Sequence, residues 1–297
     1  MHCVLGKCSL ALLLVLVGCE PTAQTEESGG APSVQTSIVP SEAVIASRVQ
    51  AATARLEAGE AGALVLAAIE KHGGLARWYA NGPLFFRFNY RPQGRQPIDT
   101  YQIVDTWSSR ASHRLAADSS MGFGWDGQRA WRLPPEVDLP TNARFWALTP
   151  YYFIGVPFVL GDPGVVLHPD GEMDFEDRTY DLVRVTFEAG TGDAPDDYYV
   201  VLIDRQTRRI GGMRYVVSYP GFFPEGGHSA ESFIVYDGEQ EIDGILFPQT
   251  FRTFQWSDED GPGALKTETS LTDVAFRPNT SDDAFHVPEG AEVLEGY

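Results

Sequence analysis

From residue 41 the apolar positions first recur at helical spacing. Ser41 is placed to cap a helix in which Ile45, Val49, Ala52 and Leu56 form one stripe. Gly59 and Gly62 interrupt it, and Leu64 to Lys71 resumes helix with Leu64, Val65, Ala68 and Ile69 turned inward. Gly73-Gly74 stand where a helix needs residues tolerant of positive φ in order to end, with His72 as a capping or packing residue. Leu75 to Trp78 is a short apolar anchor. After Gly82-Pro83 the period changes to two: Leu84, Phe86, Phe88 and Tyr90 face one side, and Phe85, Arg87, Asn89 and Arg91 the other. A helix that feeds directly into a long, aromatic, one-sided strand predicts a sheet curled around that helix.

The rest of the chain reads mostly as strand. Thr100 to Trp107, Ala111 to Ala116 and Gly122 to Trp125 are followed by a two-residue hairpin signal at Asp126-Gly127, from which Gln128 to Leu133 returns. Leu139 to Leu160 is different: dense in large apolar residues and broken by Pro150 and Pro157, it predicts two short helices lying across the sheet. Strands resume at Tyr180 to Glu188. Asp197 to Asp204 is apolar on both faces, which predicts a central strand covered on both sides. Arg209 to Tyr219, Glu231 to Tyr236, Ile245 to Trp256 and Lys266 to Phe276 complete the set, and Phe285 belongs to a closing segment. About ten strands at hairpin spacing form a sheet too large to stay flat. The expected fold class is mainly β (α+β): a strongly curved antiparallel sheet or incomplete barrel, with N-terminal helices and a central short-helix lid.

The first 40 residues have another character. Met1 to Ser9 carries one positive charge, Lys7, and Leu10 to Val17 is an apolar run of eight. Such a run is too short to span a bilayer and suits the core of a signal peptide. Leu16-Val17-Gly18-Cys19 resembles the bacterial lipobox, which implies cleavage before Cys19 and its lipidation. Glu20, where an inner-membrane lipoprotein would carry Asp, leans this implication towards the outer membrane. Pro21 to Val39 is poor in large apolar residues and reads as a tether. The expected division is a signal peptide at 1–18, a lipidated N-terminus and tether at 19–40, and a single domain at 41–297. Of three cysteines, Cys3 and Cys8 fall in the segment to be removed, so the mature domain has no disulfide. The formal charge of −19 argues against nucleic acid and against peripheral attraction to anionic lipid.

Several segments together resemble the lipoprotein-carrier (LolA/LolB-like) family: Ala68 to Trp78, Trp125 to Trp131, Tyr199 to Asp204, Glu241 to Pro248 and Leu271 to Val274. The likeness spans about residues 63–290 and is closest to uncharacterised secreted and lipid-anchored members with the His-Gly-Gly segment. It implies an unclosed antiparallel barrel with helices over an apolar cavity. No ligand residue of that family maps onto this chain.

Catalytic patterns are weak. Gly227-His228-Ser229-Ala230-Glu231 begins like a nucleophile elbow but has Glu where the motif requires Gly. His72, His113, His168, His228 and His286 are too dispersed for a metal motif. The acidic runs Asp170 to Asp177, Asp193 to Asp197 and Asp258 to Asp260 read as solvated turns. The residues placed to line an apolar ligand site are Phe86, Phe88, Trp125, Trp131, Phe145, Trp146, Tyr151, Phe153 and Phe158. Composition does not separate such a cavity from a filled core. The expectation is a lipid-anchored cell-envelope protein, at the outer membrane and facing the periplasm, that binds an acyl chain or lipidated polypeptide. It has no cofactor or metal and is not an enzyme. The alternative is an interaction module with a filled core.

Overall fold

The computed structural model describes residues 38–194 and 196–296. The signal segment, Cys19 and the tether through residue 37 lie outside the described residues. Helices α1 (Glu42–Leu56), α2 (Glu60–Lys71) and α3 (Leu75–Ala80) lead into strands β1 (Leu84–Pro92), β2 (Ile98–Asp105), β3 (Arg110–Leu115), β4 (Gly122–Trp125) and β5 (Ala130–Leu133). Helix α4 (Ala143–Gly155) and a 3₁₀ turn (Phe158–Gly161) follow. Then come β6 (Val165–Phe175), β7 (Arg178–Phe187), β8 (Tyr199–Asp204), β9 (Ile210–Tyr215) and β10 (Ser232–Asp237). The chain closes with β11 (Gln240–Ile242), β12 (Ile245–Phe247), β13 (Thr250–Ser257), β14 (Gly261–Phe276), a 3₁₀ turn (Asp282–Phe285) and β15 (Glu292–Leu294).

Thirteen strands form one antiparallel sheet in the order β15-β5-β4-β3-β2-β1-β14-β13-β10-β9-β8-β7-β6, and β11-β12 is a separate hairpin. The sheet does not close, so it is not a complete barrel. All described residues belong to one compact unit. The helices fill the inner face: α2 lies against β6, β7 and β8, and α4 against β3, β4 and β5. The main core gathers Val65 and Ile69 of α2 and Trp78 of α3 with Phe86, Phe88, Val201, Ile203 and Phe251 of the sheet.

The helix stops are where the glycines place them. Gly73 (φ +122°) and Gly74 (φ +85°) end α2, with the Gly74 N–H donating to Ile69 O at 2.9 Å. Gly62 departs from its expected role, since it lies inside α2. A Cβ there would stand 2.1 Å from Leu56 O, so the glycine lets the start of α2 press onto the end of α1.

Two other expectations are corrected. Leu139 to Leu160 holds two helical pieces, as expected, but they divide at Pro157; Pro150 lies inside α4 and does not end it. Pro150 has no N–H for Trp146 O, one turn back, and the turn is held by the packing of the buried Trp146, Ala147, Pro150 and Tyr151. Asp170 to Asp174 is strand, not solvated turn. The acids there alternate with Met173 and Phe175, which pack into a second apolar cluster with Phe233, Val200 and Leu202. Strand β6 shifts register between Pro169 and Glu172, and Phe175 reaches the Phe233 ring of β10 at 5.0 Å. The β6–β7 tip therefore wraps across the outer face. This is why β8 is buried on both sides, as its sequence predicts. Proline, bulge and acids also make β6 a poor template for adding another strand.

Candidate functional site

A cleft of about 1020 Å³ opens at the mouth of the sheet, between β1–β3 and the N-terminal turn of α4. Asn142 builds one wall: its Oδ1 accepts the Phe145 N–H at 2.9 Å and caps α4, which presents Phe145 and Trp146 to the cleft. Tyr90 of β1 packs edge-on against Trp146 with ring centres 4.8 Å apart. Across the opening, Phe222 meets the Phe145 ring at 4.9 Å while remaining 48% exposed. Ile98, Leu115 and Leu139 supply further apolar wall.

Polar side chains share the lining, Arg87, Arg95, Gln96, Asp99 and Asp138 among them. Arg87 grips Asp99 through two hydrogen bonds of 2.9 and 2.7 Å. Arg95 also lines the cleft and acts electrostatically on Tyr90. The Trp146 indole N–H is buried without an acceptor among them. Burial pushes the Tyr90 phenol up from its usual range, against the opposing pull of the Arg95 charge. An aromatic wall facing a polar one suits a ligand with an apolar body and a polar end.

The aromatic residues singled out in the sequence divide into groups. Phe145 and Trp146 line the cleft. Phe86, Phe88, Tyr151 and Phe158 are at most 1% exposed and belong to the core; Phe158 stacks on Trp78 at 4.4 Å. Phe153 is half-buried against Tyr215 at 5.4 Å. Trp125 packs on the inner side beneath the Arg144 guanidinium, 3.5 Å from its ring centre. Trp131 lies on the opposite face, buried over Gly124, where a Cβ would come within 2.6 Å of the indole. The register explains the separation: Trp125 pairs with Ala130 and Gly124 with Trp131. Any two-residue loop pairs odd with even positions, so two odd-numbered residues on its two arms point to opposite faces. Tyr90 and Phe222, which the sequence reading left out of the site, are brought to it by the end of β1 and by the long 216–231 loop. Tyr90 was visible as the next inward position after Phe88; Phe222 carried no periodic signal. Among the described residues no three His, Cys, Asp or Glu side chains come together as a metal site.

A buried polar chain seats α4 on the sheet beside the cleft. Gln102 Nε2 donates to Thr100 Oγ1 (3.3 Å), Thr100 lies 3.3 Å from His113 Nδ1, and His113 Nε2 lies 2.8 Å from Ala147 O. The carbonyl needs a donor, so Nε2 carries the proton and Thr100 donates to Nδ1. Burial lowers the His113 pKa to about 4. The unfolded ring titrates near 6.5. The stability tied to the neutral ring is therefore present above about pH 6.5 and lost as pH falls from there to about 4, on the order of 3 kcal/mol in all. Urea unfolding between pH 7 and 4 is expected to show this slope, and His113→Phe to flatten it. An equal slope in the variant would assign the pH dependence to other groups.

No protein-family model matches this sequence, and no curated protein sequence matches it. Solved structures do. A LolA-superfamily protein of Nitrosomonas europaea superposes with a TM-score of 0.51 at 12% identity, covering 77% of this chain and 99% of that one. A Vibrio parahaemolyticus domain named for outer-membrane lipoprotein sorting gives 0.48 at 11% identity, over 76% and 97%. A DUF1329-family protein of Desulfovibrio piger gives 0.47 at 10% identity, over 82% and 97%. With its curved, unclosed antiparallel sheet and helices on the inner face, the chain adopts a LolA-like fold.

Proposed function

We propose that this protein is a lipid-anchored envelope protein that binds an acyl chain, free or carried on a polypeptide, in the cleft at the mouth of its sheet. The observation that carries the reading is the cleft itself: about 1020 Å³, opening between the sheet and α4, and walled by Tyr90, Phe145, Trp146 and the exposed Phe222. The volume is of the order that holds a ligand with a long apolar part. The deeper interior is closed by Phe86, Phe88, Tyr151 and Phe158, so the ligand in this reading enters the mouth and does not thread the core. The role is binding and not catalysis.

The test is displacement of a fluorescent C16 fatty acid from the full-length protein, with native mass spectrometry for co-purified lipid. Phe222→Asp places a charge on the lip at a half-exposed position where the fold tolerates it. It is expected to weaken binding at least about tenfold, the loss typical of an aromatic anchor. Unchanged affinity would overturn the assignment.

In this reading the anchor is Cys19 of Leu16-Val17-Gly18-Cys19, and Glu20 after it supports the outer membrane, with the domain facing the periplasm. Two or more acyl chains hold firmly, at roughly 0.8 kcal/mol per buried methylene. Cys19→Ser is expected to move the protein from the membrane to the soluble fraction. A variant that stays with the membrane removes the anchor from the reading.

The filled interior supports a second reading, a module that contacts another envelope protein through the same lip. Phe222→Asp then abolishes capture of that partner and leaves fatty-acid binding at background for both forms.

A further inference from the structure

A second pocket, of about 390 Å³, opens where the end of α2 meets the β11–β12 hairpin and the turns after β8 and β10. It shares no lining residue with the cleft. His72 lines it and is 7% exposed. Its Nδ1 lies 2.8 Å from Ala68 O and so carries the proton and donates. Burial holds the ring below the usual imidazole range, and the neutral form results. Nε2 is then a lone-pair acceptor, without a hydrogen-bond partner among the described residues, on the ring edge turned away from the helix and toward the pocket.

The surrounding charge has a sign. Glu176, Asp204, Asp237 and Glu239 line the pocket against Arg178 and Arg209. Arg252 stands behind Asp237 and Glu176 as the third cation. Asp204 pairs with Arg178, Glu239 with Arg209 and Asp237 with Arg252, so the one negative charge in excess is that of Glu176, 3.8 Å from Arg252. Phe175 and Tyr180 add aromatic wall, which favours a cation and an alkyl stem alike. A ligand that matches these features donates a hydrogen bond, carries positive charge and has an apolar stem.

We propose that this pocket binds a primary alkylammonium group, which donates to His72 Nε2 and neutralises the carboxylate excess while its stem lies on Phe175 and Tyr180. The group could arrive as a small free amine or as a lysine side chain of another protein, and two probes distinguish these sources: n-pentylammonium and Nα-acetyl-lysine N-methylamide. Full-length protein labelled with ¹³C-histidine is titrated with each at constant ionic strength. The His72 ring signal is expected to shift saturably while the His113 signal stays in place. Tighter binding of the lysine derivative assigns the pocket to a protein partner, and tighter binding of pentylammonium to a free amine. His72→Phe keeps a ring and removes the acceptor; the affinity is expected to fall about tenfold, as for a lost hydrogen bond to a charged group. Should that variant fail to fold, Glu239→Gln at the half-exposed rim is expected to weaken binding about threefold. No saturable His72 shift, the same shift with potassium chloride alone, or full affinity in a folded His72→Phe or Glu239→Gln protein overturns the proposal.

Discussion

Gly73→Ala is expected to destabilise the domain by about 4 kcal/mol, seen as a large fall in the urea midpoint with little change in slope. Two independent costs combine. The residue sits at φ +122°, outside the conformations an L side chain adopts without strain. A Cβ there would also stand 2.2 Å from Gly244 O, and a backbone atom cannot swing aside as a side chain does. Relief requires the β11–β12 hairpin to move. That movement breaks the Leu246 N–H to His72 O bond (2.9 Å) and the Arg77 bond to Gly244 O (3.1 Å). Gly94 provides the control. Its φ is +69°, but nothing lies within 4 Å of an added Cβ, so Gly94→Ala is expected to cost only about 1 kcal/mol. Equal effects at the two sites would show that docking of the hairpin on the end of α2 contributes nothing. The same contact shapes the second pocket, so Gly73→Ala is also expected to reduce ammonium binding there.

Trp78→Ala is expected to cost about 4 kcal/mol, in the range of buried aromatic truncations. Trp78 is 1% exposed. It stacks on Phe158 at 4.4 Å and 5°, and Tyr151, Phe247 and Phe276 surround it with ring centres 6.1 to 6.3 Å away. These rings come from the 3₁₀ turn, α4, β12 and β14, so one side chain ties the helical layer to distant parts of the sheet. Truncation leaves a void lined by other aromatics, which the sheet cannot collapse to fill. Trp78→Phe is expected to recover roughly half of the loss, because the stack on Phe158 survives. A loss below about 2 kcal/mol in Trp78→Ala would mean that this layer is looser than its packing indicates. With typical stabilities of 5–15 kcal/mol, either Ala variant leaves a folded protein on which the cleft can still be assayed.

The physical reason that most of the fold could be read in advance is local. Alternation over Leu84 to Tyr90 assigns a strand and its inner face whatever lies elsewhere, because the pleat has a period of two. The Val200 to Ile203 run predicts cover on both sides, and Gly73-Gly74 an end to a helix. The opposite orientation of Trp125 and Trp131 also follows from the loop between them by parity, so the two cannot line one site. Pro150 shows the limit of local rules: a proline that ends an isolated helix is accommodated inside one held on both sides by packing. The acids of β6 show another, since Met173 and Phe175 have no visible purpose until the tip folds over Phe233.

The candidate site divides along the same line. Phe145 and Trp146 could be nominated from an apolar run next to a helix cap. Which aromatics fill the core and which border open space depends on contacts between residues far apart in the chain, and composition is silent on it. Phe222 reaches Phe145 across 77 positions, and Phe158 reaches Trp78 across 80. The sequence by itself determined the curved, largely antiparallel sheet, the helix stops and the inward faces, because each depends on neighbours within one or two turns. The tertiary structure alone decided that the interior is filled, that open space remains at the mouth, and that His72 has an acceptor nitrogen in a pocket where carboxylates outnumber guanidiniums by one, because volume and charge balance are sums over the whole packed chain.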